Sequence, residues 1–274
     1  MTITKKLGLD NSDLTKRNVN TDRFDLHGKI AVVTGGSRGI GKAVALAFGE
    51  AGAKVVVAAR KVNLLEEIVE EIKATGGEAL AVECDVSRDT DLFNLIEKTA
   101  EKFGKIDILV NNAGISPFLV KSEEVTKEMF EEVIQVNLLA PFLLCREAGK
   151  IMMKNNWGRI INIASVGGMV GFQRQIAYSA TKGALIQMTR VLAIEWANKY
   201  NITVNAIAPA YVATDLTEGV RASEKISQNL LQRTPMGRFG ETEEIVTAAL
   251  YFASEYSSYT TGTVLTVDGG WMAY

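Results

Sequence analysis

The sequence predicts a single α/β domain with a doubly wound, seven-stranded parallel sheet, and two observations carry that prediction. From Lys29 onward, short apolar runs rich in Val, Ile and Ala alternate with stretches whose apolar residues recur at helical spacing. The runs are apolar on both faces, as strands are when helices cover both sides of a parallel sheet. The predicted strands are Ile30–Thr34, Lys54–Ala59, Ala79–Cys84, Ile106–Asn111, Arg159–Ala164, Thr203–Ala208 and Val264–Val267.

We expect one domain over residues 28–274, because no linker or shift in composition divides that stretch. Residues 1–27 are polar, carry mixed charge and lack the apolar core of a signal peptide, which indicates an N-terminal arm. Pro141 lies inside a helical pattern from Lys127 to Asn155, so a bend or a split is expected in that helix. Residues 212 to about 235 are polar and helix-forming, and we interpret them as a lid over the substrate.

The composition excludes several classes of function. With 30 basic and 32 acidic residues the net charge is −2, which gives no reason to expect a nucleic-acid or membrane partner. No uncharged stretch provides the roughly 18 apolar residues that span a bilayer. Two isolated cysteines, Cys84 and Cys145, suit a reducing compartment, so a cytoplasmic location is predicted. Because His27 is the single histidine, neither a zinc site nor a Ser-His-Asp triad is expected, and no metal is predicted.

The first predicted strand runs into a glycine-rich turn and then into a helix, at the start of the domain. The glycines have the spacing G-x-x-x-G-x-G, counted from Gly35. Glycine lets the backbone approach a pyrophosphate, whose charge is held by the free N–H groups at the helix N-terminus. We therefore predict a dinucleotide cofactor bound by this turn, through Gly35, Ser37, Arg38, Gly39, Ile40 and Gly41.

The end of the second predicted strand favours NADP(H) over NAD(H). Enzymes that select NAD place an acidic residue there to bind the ribose 2′-hydroxyl, but Ala59 occupies that position. Arg60 follows it and Arg38 lies in the glycine turn, so two guanidinium groups could hold a 2′-phosphate. The alternative is that both arginines are simply solvated.

Two further strand ends are expected to reach the cofactor, because ligands of such sheets lie beyond the carboxyl ends of the strands. Asp85 and Val86 follow the third strand and are predicted beside the adenine. The fourth strand ends in Asn111, Asn112, Ala113 and Gly114, of which we predict Asn111, Ala113 and Gly114 to contact the adenosine. Asn111 could instead be a turn residue that bonds its own backbone.

Tyr178 and Lys182 are four residues apart in a helical stretch and therefore project from one face. Hydride transfer leaves a proton on or off the substrate oxygen, and a phenol with its pKa lowered by an ammonium could move that proton. Ser165 is expected to bond the same oxygen. Asn137, a poor helix former, is expected to disturb its helix and hold a water near Lys182. The alternatives are an ordinary helix surface for Tyr178 and Lys182 and a satisfied core amide for Asn137.

Together these motifs resemble the short-chain dehydrogenase/reductase family from about residue 27 to the C-terminus. The resemblance implies a single Rossmann domain with strand order 3-2-1-4-5-6-7 and a tetrad of Asn137, Ser165, Tyr178 and Lys182. It also implies a homotetramer, a water chain that relays the proton to solvent, and contacts to the nicotinamide. The motifs are Thr34–Gly41, Asn111–Gly114, Ser165, Tyr178–Lys182, Asn205–Pro209 and Val267–Gly270, and the nicotinamide contacts are Pro209, Val212 and Thr214.

One residue departs from the family pattern. Ala210 stands where the family typically has glycine, and a positive φ there would strain the backbone.

The predicted substrate is a small molecule that carries a secondary alcohol or a ketone. Arg174, between Ser165 and Tyr178, could bind a substrate carboxylate or a carrier phosphate, or it could be an ordinary surface arginine. Among family members the chain most resembles gluconate 5-dehydrogenases and 3-oxoacyl-carrier-protein reductases. The stretch Arg233–Gly240 slightly favours the sugar-acid type. A broad carbonyl reductase is a further alternative, and the intact tetrad counts against a nucleotide-sensing protein or a structural subunit without turnover.

Apolar surfaces predict the assembly. The stretches Leu138–Leu144 and Leu185–Ile194 offer helix faces that could pair across a two-fold axis. The C-terminal residues Trp271–Tyr274 are apolar for a free end, which suggests burial against another subunit. A homotetramer is therefore expected.

Overall fold

The computed structural model describes residues 24–273, so most of the predicted arm at residues 1–27 lies outside the described residues. The last part of that range belongs to the domain rather than to an arm. Leu26 is fully buried, and its N–H donates to the carbonyl oxygen of Ala51 at 2.8 Å. The domain therefore begins at Leu26 or earlier, at least two residues before the predicted boundary at residue 28.

The described strands form one parallel sheet in the order β3-β2-β1-β4-β5-β6-β7, as predicted. The order reverses between β1 and β4, and ligands of such sheets lie beside that reversal, at the carboxyl ends of the strands. The predicted strand ends are displaced by one residue at most, except that β4 begins at Ile108 instead of Ile106. The strands are β1 (Ile30–Thr34), β2 (Lys54–Ala59), β3 (Ala79–Glu83), β4 (Ile108–Asn111), β5 (Gly158–Ile163), β6 (Ile202–Pro209) and β7 (Val264–Val267).

Helices cover both faces of the sheet. One apolar core cluster joins α1, α2 and α9 to one face, and a second joins α3, α5 and α6 to the other. The outer strands are less covered than predicted: Leu265 in β7 is 39% exposed. The helices are α1 (Gly39–Glu50), α2 (Val62–Ala74), α3 (Asp89–Phe103), α4 (Lys127–Ile134), α5 (Ala140–Asn155), α6 (Ile176–Tyr200), α7 (Glu218–Ala222), α8 (Glu224–Arg233) and α9 (Thr242–Ala253).

The helical pattern from Lys127 to Asn155 is interrupted, although not at the proline itself. A five-residue π-helical turn, Gln135–Leu139, separates α4 from α5. Pro141 lies in the first turn of α5, a position at which proline is well tolerated. The turn inserts one extra residue into the helical ladder, and Asn137 lies at its centre.

The segment predicted as a lid consists of two short helices, α7 and α8, after a 3₁₀ turn at Asp215–Thr217. Neither helix contains a buried residue. Among the described residues no helix is both long and apolar enough to cross a membrane.

Both cysteines are unpaired and buried. Burial raises the pKa of each thiol to about 12, so both thiols are uncharged at neutral pH.

Candidate active site

The glycine turn opens into a cavity of about 400 Å³ at the carboxyl edge of the sheet. That volume lies within the range of small-molecule and cofactor sites. Gly35 and Gly39 have φ angles of 63° and 53°, which favour glycine. A Cβ added to Gly41 would lie 2.2 Å from the Gly35 carbonyl oxygen, so only glycine fits where α1 meets the turn. The backbone is therefore shaped as a pyrophosphate site requires.

Asn112 holds this turn in place, and sequence reasoning did not select it. Its Nδ2 donates to the carbonyl oxygens of Thr34 at 2.9 Å and Gly35 at 3.1 Å. The Thr34 hydroxyl in turn accepts from the N–H groups of Asn112 and Ala113, at 3.1 Å and 3.2 Å. These bonds join the end of β4 to the end of β1. The sequence signal for Asn112 was its position one residue after the predicted strand, where a side chain can extend past the edge of the sheet.

Asn111 has a different environment. Its Nδ2 donates to Asn162 Oδ1 at 2.8 Å and to Cys145 Sγ at 3.2 Å. Asn162 continues to the Thr189 hydroxyl at 2.9 Å. Asn111 is buried and is not among the residues that line the cavity. Its side chain thus joins strands to helices. Its hydrogen bonds support neither the predicted contact with the adenosine nor the alternative role in a local turn.

The other predicted contacts around the glycine turn line the cavity. Asp85 accepts from the backbone N–H and the hydroxyl of Ser87, at 3.0 Å and 2.7 Å. Burial alone would raise the pKa of Asp85, but the Ser87 bonds and the charges of Arg60 and Arg88 outweigh it and lower that pKa. The carboxylate is therefore charged. Predicted residues that line the cavity are Gly35, Ser37, Arg38, Gly39, Ile40, Arg60, Asp85, Val86, Ala113, Gly114 and Thr214.

Three basic side chains line the cavity, which Asp85 and Asp215 also line. Arg38, Arg60 and Lys61 line it together with Ala59, which carries no carboxylate to repel a phosphate. The guanidinium of Arg38 donates to Asp215 at 3.1 Å, but both side chains are more than half exposed, so the pair contributes little. Lys61 was not among the predicted contacts, although a second basic residue directly after Arg60 is visible in the sequence.

The segment after β6 divides between two cavities. Thr214 lines the first cavity beside Gly39, whereas Val212 lines a second one of about 280 Å³ and belongs to the apolar core. Pro209 is the buried last residue of β6. Ala210 is not among the residues with positive φ, so the strain considered for it is absent.

Lys182 and Tyr178 lie together on α6, as their spacing predicts. Lys182 is 4% exposed; its Nζ donates to the Ile163 carbonyl oxygen at 2.7 Å and lies 5.7 Å from the centre of the Tyr178 ring. Burial lowers the pKa of Lys182 to about 8. Burial also raises the pKa of Tyr178, and a hydrogen bond with the Ser165 hydroxyl opposes it. The expected lowering of the Tyr178 pKa by Lys182 is thus absent: burial raises that pKa, and the Ser165 hydroxyl opposes the rise.

Ser165 follows β5 and faces Tyr178 from a tightly packed turn. Its hydroxyl oxygen accepts from the N–H of Gly167 at 3.0 Å. A Cβ added to Gly168 would lie 2.6 Å from the backbone carbon of Lys182, so glycine lets this turn contact α6 directly. The contact fixes the distance between β5 and the helix that carries Tyr178 and Lys182.

Asn137 is fully buried, and the π-helical turn presents its amide to the loop after β4. Its Oδ1 accepts from the N–H of Ile115 at 2.8 Å, and its Nδ2 donates to the Ile115 carbonyl at 2.8 Å and to Thr181 at 3.4 Å. The site of a Cβ on Gly114 would be 3.4 Å from both Asn137 Oδ1 and Lys182 Nζ. Asn137 thus lies beside Lys182 at the end of the cofactor cavity, and the expected local disturbance of its helix is present.

Aromatic side chains from three separate segments meet near the tetrad. Phe172 stacks on Tyr211 with ring centres 6.0 Å apart, and Trp271 meets Tyr211 edge to face at 5.3 Å. Trp271 is 3% exposed within its own chain. The burial predicted for the C-terminal segment is therefore supplied at Trp271 by this chain and needs no second subunit.

Arg174 lies close to the tetrad in an uncommon backbone conformation. Its φ is 63°, in the left-handed region that non-glycine residues seldom occupy. It lines a shallow cleft together with Tyr178 and Ile176. The structure therefore brings Arg174 and Tyr178 to one cleft, and the role of Arg174 as a substrate contact stays a prediction.

The cavity of the glycine turn is lined by Gly114, which lies beside Asn137 and Lys182, and Tyr178 and Ser165 lie next to Lys182. A family model described as "Enoyl-(Acyl carrier protein) reductase" matches residues 35–272. A 3-oxoacyl-[acyl-carrier-protein] reductase of Synechocystis is 42% identical over 91% of this chain and 99% of that protein. A 2-dehydro-3-deoxy-D-gluconate 5-dehydrogenase of Pseudoalteromonas atlantica is 41% identical over 92% of this chain and 98% of that protein.

Solved structures are similar as well. The crystal structure of a gluconate 5-dehydrogenase from Burkholderia cenocepacia, in complex with NADP and tartrate, has a TM-score of 0.88 at 33% identity. The match covers 92% of this chain and 98% of that one. The chain belongs to the short-chain dehydrogenase/reductase family and is an oxidoreductase of alcohol and ketone groups.

Proposed function

We propose that this protein uses NADP(H) to interconvert a secondary alcohol and a ketone on a small sugar acid, with Tyr178 as the acid and base. The observation that carries the proposal is the position of the tetrad. Asn137 and Lys182 lie beside Gly114, which lines the cofactor cavity, and Tyr178 and Ser165 lie next to Lys182. A carbonyl held there can receive a hydride from the cofactor and a proton from Tyr178.

In the reducing direction the bound cofactor supplies the hydride, and Tyr178 gives its proton to the substrate oxygen. The pKa of Tyr178 is raised by burial, so the phenol is protonated at neutral pH and ready to donate. The Ser165 hydroxyl bonds the same oxygen and stabilises its developing charge. The positive charge of Lys182 stabilises the phenolate that remains, and Asn137 helps hold a water next to Lys182 that returns the proton.

Positive charge at the adenosine end supports NADP(H). Arg38, Arg60 and Lys61 line the cavity where the 2′-phosphate would lie, and Ala59 leaves room beside them. The related gluconate 5-dehydrogenase of Burkholderia cenocepacia was crystallised with NADP.

Arg60→Asp tests the cofactor preference. We expect the NADPH-to-NADH ratio of kcat/KM to fall by about ten- to hundredfold, because the variant places a carboxylate beside the phosphate. Arg88→Asp, which makes the same change near Asp85 but outside the cavity lining, is the matched control. A ratio unchanged in Arg60→Asp would remove the basis for the preference.

A sugar acid is supported by the relatives. A dehydrogenase of 2-dehydro-3-deoxy-D-gluconate is 41% identical, and the gluconate 5-dehydrogenase neighbour was crystallised with tartrate, a small hydroxy acid. The second candidate substrate is a 3-oxoacyl thioester on a carrier protein, which the 42% identity to the Synechocystis reductase favours.

A side-by-side assay separates these two substrates. Purified protein is given 5-ketogluconate or an acetoacetyl thioester, each with NADPH and with NADH. We expect the highest kcat/KM for 5-ketogluconate with NADPH. Turnover of the thioester alone would replace the sugar-acid proposal with the acyl reductase.

We also propose a lid, a homotetramer and a cytoplasmic location. Residues 212–235 include two helices without buried residues, which suits a lid. Phe142 on α5 and Ile194 on α6 are 40% and 82% exposed, which suits burial in a subunit interface. Two unpaired cysteines suit a reducing compartment. Light scattering tests the assembly, and a monomer at micromolar concentration would contradict it.

A further inference from the structure

The aromatic group formed by Phe172, Tyr211 and Trp271, called here the aromatic row, ends on a cation. Arg233 is the last residue of α8, and its guanidinium carbon lies 4.6 Å from the centre of the Trp271 ring. Trp271 meets Tyr211 at 5.3 Å and Phe172 at 6.2 Å. A charged side chain from the proposed lid is therefore stacked on the C-terminal segment.

The other end of the aromatic row lies near Ser165. A Cβ added to Gly167 would lie 3.1 Å from the Phe172 ring and 3.4 Å from the Ser165 hydroxyl oxygen. Burial raises the pKa of Tyr211; Tyr178 adds to this rise and the charge of Arg233 opposes it. Tyr211 is thus within electrostatic reach of both the catalytic phenol and the guanidinium.

Arg233 differs from the next arginine along the chain in what it binds. Arg238 donates to both carboxylate oxygens of Glu244, at 2.8 Å and 2.6 Å, so its charge is already paired. Over residues 24–273, Arg233 forms no ion pair with a carboxylate. Stacking on Trp271 holds the guanidinium plane but leaves its N–H donors for another acceptor.

We propose that Arg233 binds the carboxylate of the substrate while the aromatic row covers the carbon chain between that carboxylate and the reacting carbonyl. A planar guanidinium binds a carboxylate through two parallel hydrogen bonds, a contact that a neutral sugar cannot make. This inference rests on the proposed function, because it assigns the acidic group of a sugar acid to a named side chain. It makes Arg233 a specificity-determining residue that does not take part in the proton transfer.

The test compares Arg233→Gln with Arg238→Gln, which removes the same charge five residues away. For 5-ketogluconate we expect KM to rise about ten- to hundredfold in Arg233→Gln, with kcat within about threefold of wild type, as for the loss of a charged contact remote from the reacting bond. The KM for NADPH and for the neutral ketose D-fructose should stay unchanged. Arg233→Lys, which keeps the charge, should recover part of the loss.

Tartrate provides a second readout that does not depend on which carbonyl compound is reduced. We expect the inhibition constant of tartrate, measured against whichever carbonyl compound the protein reduces, to rise at least about tenfold in Arg233→Gln and not in Arg238→Gln. Turnover of the acetoacetyl thioester alone would refute the sugar-acid function, and the tartrate result would still decide the role of Arg233. Equal tartrate inhibition of wild type and Arg233→Gln, or an equal change in Arg238→Gln, would overturn the proposal.

Discussion

The two ends of the cleft are built from different materials. At the cofactor end the backbone makes the site: Gly35, Gly39 and Gly41 shape the turn, and Asn112 ties it to the next strand. At the substrate end side chains make it, and they come from segments far apart in sequence, such as Phe172 and Trp271. A backbone site tolerates almost no added atom, whereas a side-chain site can change by substitution. The comparison predicts that substitutions change the substrate end more readily than the cofactor end.

The largest effect should come from the junction of the two ends. Tyr178→Phe removes the proposed proton donor and leaves the ring, so kcat should fall about 10²- to 10⁴-fold while cofactor affinity changes little. Steady-state kinetics and nucleotide titration measure both quantities.

Tyr251→Phe is the matched control, since that hydroxyl bonds Thr260 at 2.8 Å and lies outside the residues that line the cleft. Its kcat should stay within about twofold of wild type, as expected for a change away from the reacting atoms. Similar kcat values for Tyr178→Phe and wild type would mean that another group moves the proton.

A single methyl group added at Gly41 should strongly weaken cofactor binding. In Gly41→Ala the new Cβ would meet the Gly35 carbonyl oxygen at 2.2 Å, so the turn or the helix must shift. We expect the Kd for NADPH to rise about a hundredfold, because overpacking of this kind costs about 1–3 kcal/mol or more. Fluorescence titration measures the affinity.

Gly171→Ala is the control for that variant, because nothing lies within 4 Å of its added Cβ. Circular dichroism separates a local loss of binding from unfolding. Equal affinities in Gly41→Ala and Gly171→Ala would show that the turn is more adaptable than its geometry indicates.

The smallest effect concerns Lys182, where the two ends meet. Its pKa is about 8 in the folded protein and near 10.5 when exposed, so the unfolded chain binds the proton more tightly. Below pH 8 Lys182 is charged in both the folded and the unfolded chain, and its buried charge destabilises the folded chain. This destabilisation disappears as pH rises from 8 to 10.5, because the folded chain loses the proton first. The free energy of unfolding of wild type, relative to Lys182→Met, should therefore rise by about 1–3 kcal/mol across this window.

Urea unfolding at several pH values gives that difference. Lys199→Met, which changes an exposed lysine near the end of the same helix, is the control and should leave the pH slope unchanged. A parallel pH dependence of wild type and Lys182→Met would mean that the ammonium is not buried in solution.

The fold and the cofactor turn were predictable because both are written in local patterns. Strand–helix alternation predicted the sheet, and a turn such as Thr34–Gly41 has its strand, glycines and helix adjacent in the chain. Three of the four predicted tetrad residues were selected for a similar reason, since Ser165 follows a strand and Tyr178 and Lys182 share a helix face.

The features that the sequence did not predict depend on the direction of a side chain, on its burial, or on contacts between residues far apart in the chain. Asn111 and Asn112 are neighbours of identical chemistry, and alternation along the strand decides which one reaches the turn. The pKa of Tyr178 depends on burial, which local spacing does not reveal. The contact between Arg233 and Trp271 joins residues 38 positions apart and requires the folded chain.

The π-helical turn at Gln135–Leu139 has a consequence for how this enzyme can change. One extra residue in a helical ladder rotates everything after it by about 100°. The turn that delivers the Asn137 amide to Ile115 therefore also decides that Phe142 points outward on the following helix. Removing one residue there would therefore change both the position of the Asn137 amide and the face of α5 that is exposed.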